Sequence, residues 1–170
     1  MRRFLVWWWA IGILLFLGGC KNDNSLGPGG SGTGTLVVRL TDAPAAYDAI
    51  VIVVDSVRVH IDSAESVGGW HTISTSPAMY DLLQFTGGKD TVIATGEIPA
   101  GYYSQLRLYI NPSSFIVVDG VNLPLVVPSG AESGLKLNIQ ANIAAGTQYV
   151  VALDFDASHS IVVTGAGLIR

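Results

Sequence analysis

Ala49-Ile50-Val51-Ile52-Val53-Val54-Asp55-Ser56-Val57-Arg58-Val59-His60-Ile61 is the stretch that decides the fold. In its second half Val57, Val59 and Ile61 alternate with Arg58, His60 and Asp62. A period of two puts one apolar and one polar face on an extended strand, and a helix cannot do the same. The first half is apolar at successive positions from Ile50 to Val54, as in a strand covered on both faces. Val and Ile are stiff at χ1 and pack well on a pleated surface, so the whole segment reads as one long strand.

The same reading extends in both directions. Leu36, Val38 and Leu40 alternate with Val37, Arg39 and Thr41 ahead of an Asp42-Ala43-Pro44 turn. Trp70 to Ile73 and Tyr80 to Phe85 are short strand candidates, and Thr91 to Ile98 and Tyr103 to Ile110 flank the turn Pro99-Ala100-Gly101. Val117-Val118-Asp119-Gly120-Val121-Asn122 reads as a tight hairpin, because Asp-Gly tolerates the positive φ angles of a type I′ turn. Leu135 to Ile139, Gln148 to Asp156 and Ile161 to Thr164 complete the set. Many short strands between turn signals, with no convincing helix, predict an all-β, antiparallel β-sandwich. Pro112, Pro124 and Pro128 belong at edges or strand ends, where a missing N–H breaks no ladder.

The N-terminus carries a different pattern. Arg2 and Arg3 precede an apolar run from Phe4 to Leu17, which leads through Gly18-Gly19 to Cys20, the one cysteine in 170 residues. This is the layout of an export signal. It resembles the lipobox of bacterial lipoproteins, and that resemblance implies cleavage before Cys20 and lipid on its sulfur and new amine. A transmembrane anchor would need about 20 apolar residues, more than this run supplies. An unlipidated signal peptide and a buried core helix are the other readings. One acyl chain anchors marginally, whereas two or three anchor stably.

The expected organisation is therefore a lipoprotein signal peptide over 1–19, a lipid-anchored Gly/Ser-rich tether over 20–34, and a β-sandwich domain over 35–170. The tether contains Gly27-Pro28-Gly29-Gly30-Ser31-Gly32, cannot bury enough surface to fold, and spans about 20 Å as a flexible coil. Its Gly-rich stretch follows no strand and lacks a Lys-Ser/Thr ending, so it is not a phosphate loop. Without residues 1–19 the chain holds seven basic against thirteen acidic side chains, a formal charge of −6. That balance argues against nucleic acid and gives no support for membrane binding by charge. No cysteine remains for a disulfide, so packing alone must stabilise the fold.

Five stretches then occur in one order: Thr41-Asp42-Ala43-Pro44, Tyr80-Asp81-Leu82-Leu83-Gln84-Phe85, Pro99-Ala100-Gly101-Tyr102-Tyr103-Ser104-Gln105-Leu106-Arg107-Leu108, Ser133-Gly134-Leu135-Lys136-Leu137-Asn138 and Leu153-Asp154-Phe155-Asp156-Ala157. From Gly34 to Arg170 the chain resembles the bacterial envelope lipoprotein family labelled domain of unknown function 4382. The resemblance implies an exported sandwich, transthyretin-like or immunoglobulin-like, with no enzymatic activity. The family pattern continues past Thr164-Gly165-Ala166-Gly167 into a strand bearing a Lys-Pro pair, whereas this sequence ends at Arg170. Either the chain is truncated or this member lacks that strand.

Candidate functional residues are few. Asp154 and Asp156, two apart in a predicted strand, present two carboxylates on one face opposite Leu153 and Phe155. With Asp42 or Asp81 they are weak candidates for Ca²⁺, far short of the usual six to eight oxygens, so no metal or other cofactor is expected. His60, His71 and His159 lie on or beside separate strands without zinc-ligand spacing. GxSxG is absent, and Ser113-Ser114 and Ser129-Gly130 have no evident base. Tyr103, two residues after Gly101, has the placement of a tyrosine that folds back on its own turn. Trp70, beside Gly68-Gly69, is the weak candidate for stacking on a sugar ring; Tyr80, Tyr102 and Tyr109 are ambiguous between core and surface.

The function expected from these residues is a non-enzymatic binding or structural role for a lipid-anchored envelope lipoprotein, with an unidentified protein or glycan partner. A glycan-binding surface module, an enzyme with a dispersed hydrolase-type site and a pure spacer are the alternatives. Lys21 rather than Asp after Cys20 favours the outer over the inner membrane by resemblance to enterobacteria-like sorting, and Lys21 with Asp23 faintly resembles a surface-export signal.

Overall fold

The computed structural model describes residues 32–62, 69–74 and 76–162. Cys20, the export signal and nearly all of the tether lie outside the described residues, as does the end of the Ile161–Thr164 candidate. Ten strands follow in order: β1 (Thr33–Asp42), β2 (Ala49–Ile61), β3 (Trp70–Ser74), β4 (Ala78–Asp81), β5 (Thr91–Pro99), β6 (Gly101–Ile110), β7 (Phe115–Val118), β8 (Val121–Pro124), β9 (Leu135–Ile143) and β10 (Gln148–Phe155). Among the described residues a 3₁₀ turn also spans Leu82–Phe85 and a helical turn, α1, spans Ala157–Ser160.

The long strand predicted over 49–61 is the backbone of the larger sheet, whose main order is β8-β7-β2-β6-β9, with β3 and β4 also paired to β2. The smaller sheet is β10-β1-β5. Between them Leu36, Val38 and Leu40 of β1 share one core with Val57 and Val59 of β2 and with Leu106 and Leu108 of β6, all essentially without solvent contact. Each such side chain contributes roughly 1.5–3 kcal/mol of burial. Ile50 to Val54 are buried in succession, as the unbroken apolar run predicted. The β7–β8 hairpin turns at Asp119 (φ 50°) and Gly120 (φ 74°), the pair of positive angles a type I′ turn requires.

The architecture is the expected all-β sandwich, with four differences in detail. First, one pair is not antiparallel: β1 runs parallel to β10, with Val38 opposite Val151. The reason is the corner at residues 144–147, which carries the chain from β9 in one sheet to β10 in the other instead of folding it back into the same ladder. That corner is stitched to β1 by Thr35 N–H donating to the Thr147 carbonyl at 2.9 Å and Gly146 N–H donating to the Thr33 carbonyl at 2.8 Å.

Second, β1 begins at Thr33, two residues before the expected domain start. Thr33 and Gly34 pair with Pro99 and Ile98 of β5. Gly34 is a packing residue rather than a linker glycine, since a Cβ there would lie 2.5 Å from the Ile143 Cγ2 methyl and 2.7 Å from the Ala144 carbonyl oxygen. Third, the strand predicted over Tyr80–Phe85 stops at Asp81. The Asp81 carboxylate accepts from Leu83 N–H at 3.3 Å and so turns the chain into the 3₁₀ segment that buries Leu82. Fourth, the strand predicted over Gln148–Asp156 ends at Phe155, because Asp156 caps α1.

Candidate functional site

The pairing of β3, β2, β6 and β9 sets two rows of side chains across the outer face of the larger sheet. In the first, Arg58 lies opposite Arg107, and Arg107 opposite Lys136. In the second, Trp70 lies opposite His60, His60 opposite Gln105, and Gln105 opposite Asn138. Neighbouring strands are about 4.8 Å apart, so three cations stand within roughly 10 Å of sheet. All of them point away from the core, because Val57, Val59, Leu106 and Leu108 occupy the alternate positions.

Arg107 is held in place from several sides. Its guanidinium carbon lies 4.2 Å from the Trp70 ring centroid, a close cation–π stack. Its Nε donates to Gln105 Oε1 at 3.2 Å and Nη1 donates to the Ser133 carbonyl at 3.3 Å. The His60 and Trp70 rings meet edge to face at 5.1 Å, and the Arg58 guanidinium lies 6.0 Å from the Tyr109 ring centroid. Arg58 Nε is buried without a hydrogen-bond partner.

Among the described residues Arg39 pairs with Asp90, and the His60 and His159 rings contact the Asp62 and Asp156 carboxylates; none of these contacts includes Arg58, Arg107 or Lys136. The Asp62 carboxyl is held below the usual carboxylate range by hydrogen bonds from Ser104 and then His60.

Other residues singled out from the sequence are scattered. Trp70 opens β3, the strand expected over Trp70–Ile73, and is half-buried. Asp154 and Asp156 do not share a strand face: Asp154 is exposed on β10, while Asp156 accepts from Ser158 Oγ at 2.7 Å, approaches His159 Nδ1 at 2.8 Å and caps α1. Among the described residues no group of three or more His, Asp or Glu side chains is placed to hold a metal ion. Asp42, at the end of β1, is 5 % exposed; one carboxylate oxygen accepts from Ala157 N–H at 3.1 Å and the other has no partner. Its pKa is raised, chiefly by burial, with smaller contributions from Asp154 and Asp156.

His60 and His71 stand on adjacent strands, but His71 packs towards Tyr103 with ring centroids 6.3 Å apart, whereas His60 meets Trp70 on the outer face. Ser114 is buried, accepting from Val53 N–H at 3.0 Å and donating to the Asn111 carbonyl at 2.8 Å, so its hydroxyl is engaged in the fold. Tyr103 Oη donates to the Pro99 carbonyl at 2.8 Å, which is the expected fold-back onto its own turn.

Clefts along the open seam between β9 and β10 are lined by Leu135, Leu137, Leu153 and Phe155, with Asp154 as the titratable side chain. Ser160 and Asn138 add a hydroxyl and an amide to these otherwise largely apolar walls.

The two-row face was not found by reading the sequence. Its signal is present, since Arg58 and His60, Gln105 and Arg107, and Lys136 and Asn138 are i, i+2 polar pairs on alternating strands. Bringing them together depends on long-range register. That register includes shifts between Val54 and Ser56, between His60 and Ile61, and between Tyr103 and Gln105.

A search of curated proteins finds no match. The family model described as a domain of unknown function, DUF4382, matches residues 33–169, which spans every described strand. The chain belongs to that family, the domain of unknown function DUF4382.

Proposed function

We propose that this protein is a non-enzymatic binding module of the bacterial envelope, anchored by lipid on Cys20 and joined to it by the Gly/Ser-rich stretch before β1. The outer face of the larger sheet is its binding surface. The observation that carries the reading is Arg107, fixed 4.2 Å over Trp70 and flanked across the sheet by Arg58 and Lys136. A face that combines an aromatic ring, amides and cations without an ion-pair partner among the described residues, with Arg107 already held in place, recognises a ligand at little cost in side-chain ordering. The arrangement of the anchor rests on the Arg2-Arg3, Phe4–Leu17 and Cys20 pattern, and the outer membrane is the favoured site by the Lys21 argument.

Two measurements test this. Radiolabelled palmitate should enter the wild-type chain and not Cys20→Ser. Bacterial envelope components captured by the wild-type protein should be lost on a Trp70→Ala/Arg107→Ala double variant that melts at a similar temperature. Identical capture by both would remove the outer face as the binding surface.

A further inference from the structure

We infer that the outer face of the larger sheet binds a carboxylate-bearing polysaccharide, with Arg58, Arg107 and Lys136 meeting its carboxylates and Trp70, Gln105 and Asn138 meeting its sugar rings. The inference rests on the binding-module reading and specifies its ligand.

The first observation is the cation row itself. Like charges directly opposite each other on neighbouring strands destabilise a sheet. Here Arg58, Arg107 and Lys136 follow one another across three strands, in a chain whose charge is −6 beyond residue 19. Three of the seven basic side chains in that part of the sequence share one row. A negatively charged ligand would offset this repulsion.

The second row decides what kind of anion fits. Arg107 uses two of its five N–H donors on Gln105 and Ser133, so the remaining fork can still receive a carboxylate. Beside it Gln105 and Asn138 offer amides, and Trp70 offers an amphipathic ring. That mixture suits hydroxyl groups and the apolar face of a sugar. Nucleic acid is the wrong match: its dense phosphate charge calls for extended Lys and Arg clusters, and the surrounding chain is acidic. A polymer with a carboxylate on each sugar has sparser charge, and its successive rings can lie along a row of cations one strand apart.

The test is affinity electrophoresis of the full chain, purified from envelopes in mild detergent, through gels containing polygalacturonate, alginate or hyaluronan. Fully methyl-esterified polygalacturonate serves as the uncharged polymer of the same backbone. At least one carboxylated polymer should retard the protein, and Arg107→Gln and Lys136→Gln should each weaken retardation at least tenfold. Esterification should abolish it, and duplex DNA should have no effect at physiological salt. Lys136 is exposed, so its variant separates loss of binding from loss of folding; a thermal melt of each variant checks this.

Equal retardation by the esterified polymer would overturn the carboxylate assignment while leaving the binding face intact. Equal retardation of the wild type and both charge variants would overturn the assigned residues. No retardation by any carboxylated polymer would overturn the inference, whereas loss of envelope capture in the Trp70→Ala/Arg107→Ala variant would still support the module. Retardation by DNA would assign the row to phosphate instead.

Discussion

Tyr103 Oη donates to the carbonyl oxygen of Pro99 at 2.8 Å, tying β6 back onto the turn that precedes it. The ring has no solvent exposure and is among the largest fully buried side chains. Removing the hydroxyl leaves the ring's packing in place and orphans one carbonyl. Tyr103→Phe should therefore lower stability by about 1 kcal/mol, a typical net hydrogen bond, and lower Tm by a few degrees. It should leave ligand binding unchanged, because the side chain faces the core. An unaltered melt would show that the bond contributes nothing.

The same phenol makes stability depend on pH. Burial pushes its pKa from 10.0 up to about 12. The unfolded chain ionises first, so this contribution is fully present below pH 10 and is lost as pH rises through about 12. Denaturation midpoints measured from pH 9 to 12 should fall more steeply for the wild type than for Tyr103→Phe. Parallel profiles would contradict the assignment.

Gly34 shows that a glycine in a Gly-rich stretch can belong to the core. A Cβ there would meet Ile143 Cγ2 at 2.5 Å and the Ala144 carbonyl oxygen at 2.7 Å, and backbone cannot yield as a flexible side chain can. Gly34→Ala should cost about 1–3 kcal/mol, the usual range for overpacking. Chemical denaturation reads this directly, and an unchanged midpoint would mean the corner at residues 144–147 is free to shift.

Asp42 holds α1 by accepting from Ala157 N–H, but its second oxygen is buried without a partner. Burial raises its pKa above 3.8, and the neighbouring Asp154 and Asp156 charges act in the same direction. A raised carboxyl pKa favours the folded state at low pH, and that advantage is lost as pH climbs through the folded-state value. Asp42→Asn keeps an acceptor for Ala157 and removes the buried charge. Its Tm relative to wild type should thus improve as pH is raised from 3.8 towards neutrality. A relative Tm that falls over the same interval would contradict the account.

Much of the strand content was legible because alternation is a local property. Ala49–Ile61, Thr91–Ile98 and the Asp119-Gly120 hairpin all read directly from residue order. Tyr103 was legible for a similar reason, since its partner Pro99 is four residues away. What could not be read depends on distant partners. The parallel β1–β10 pair follows from a corner between sheets, and Asp156 leaves its strand because Ser158 and His159 reward a cap. The row joins Arg58, Arg107 and Lys136, whose ends lie 78 positions apart in the chain, and exists only in the folded register.

Trp70 offers the most direct test of the proposed binding face. Three of the four tryptophans lie at positions 7–9, within the proposed export signal, so the processed protein would carry Trp70 as its single indole fluorophore. The measurement is Trp70 emission during titration with an envelope fraction that the protein captures. A binding face built around Arg107 and Trp70 predicts a saturable change in intensity or emission maximum, abolished in Arg107→Gln. A captured fraction that saturates the protein while leaving Trp70 emission unchanged would contradict it.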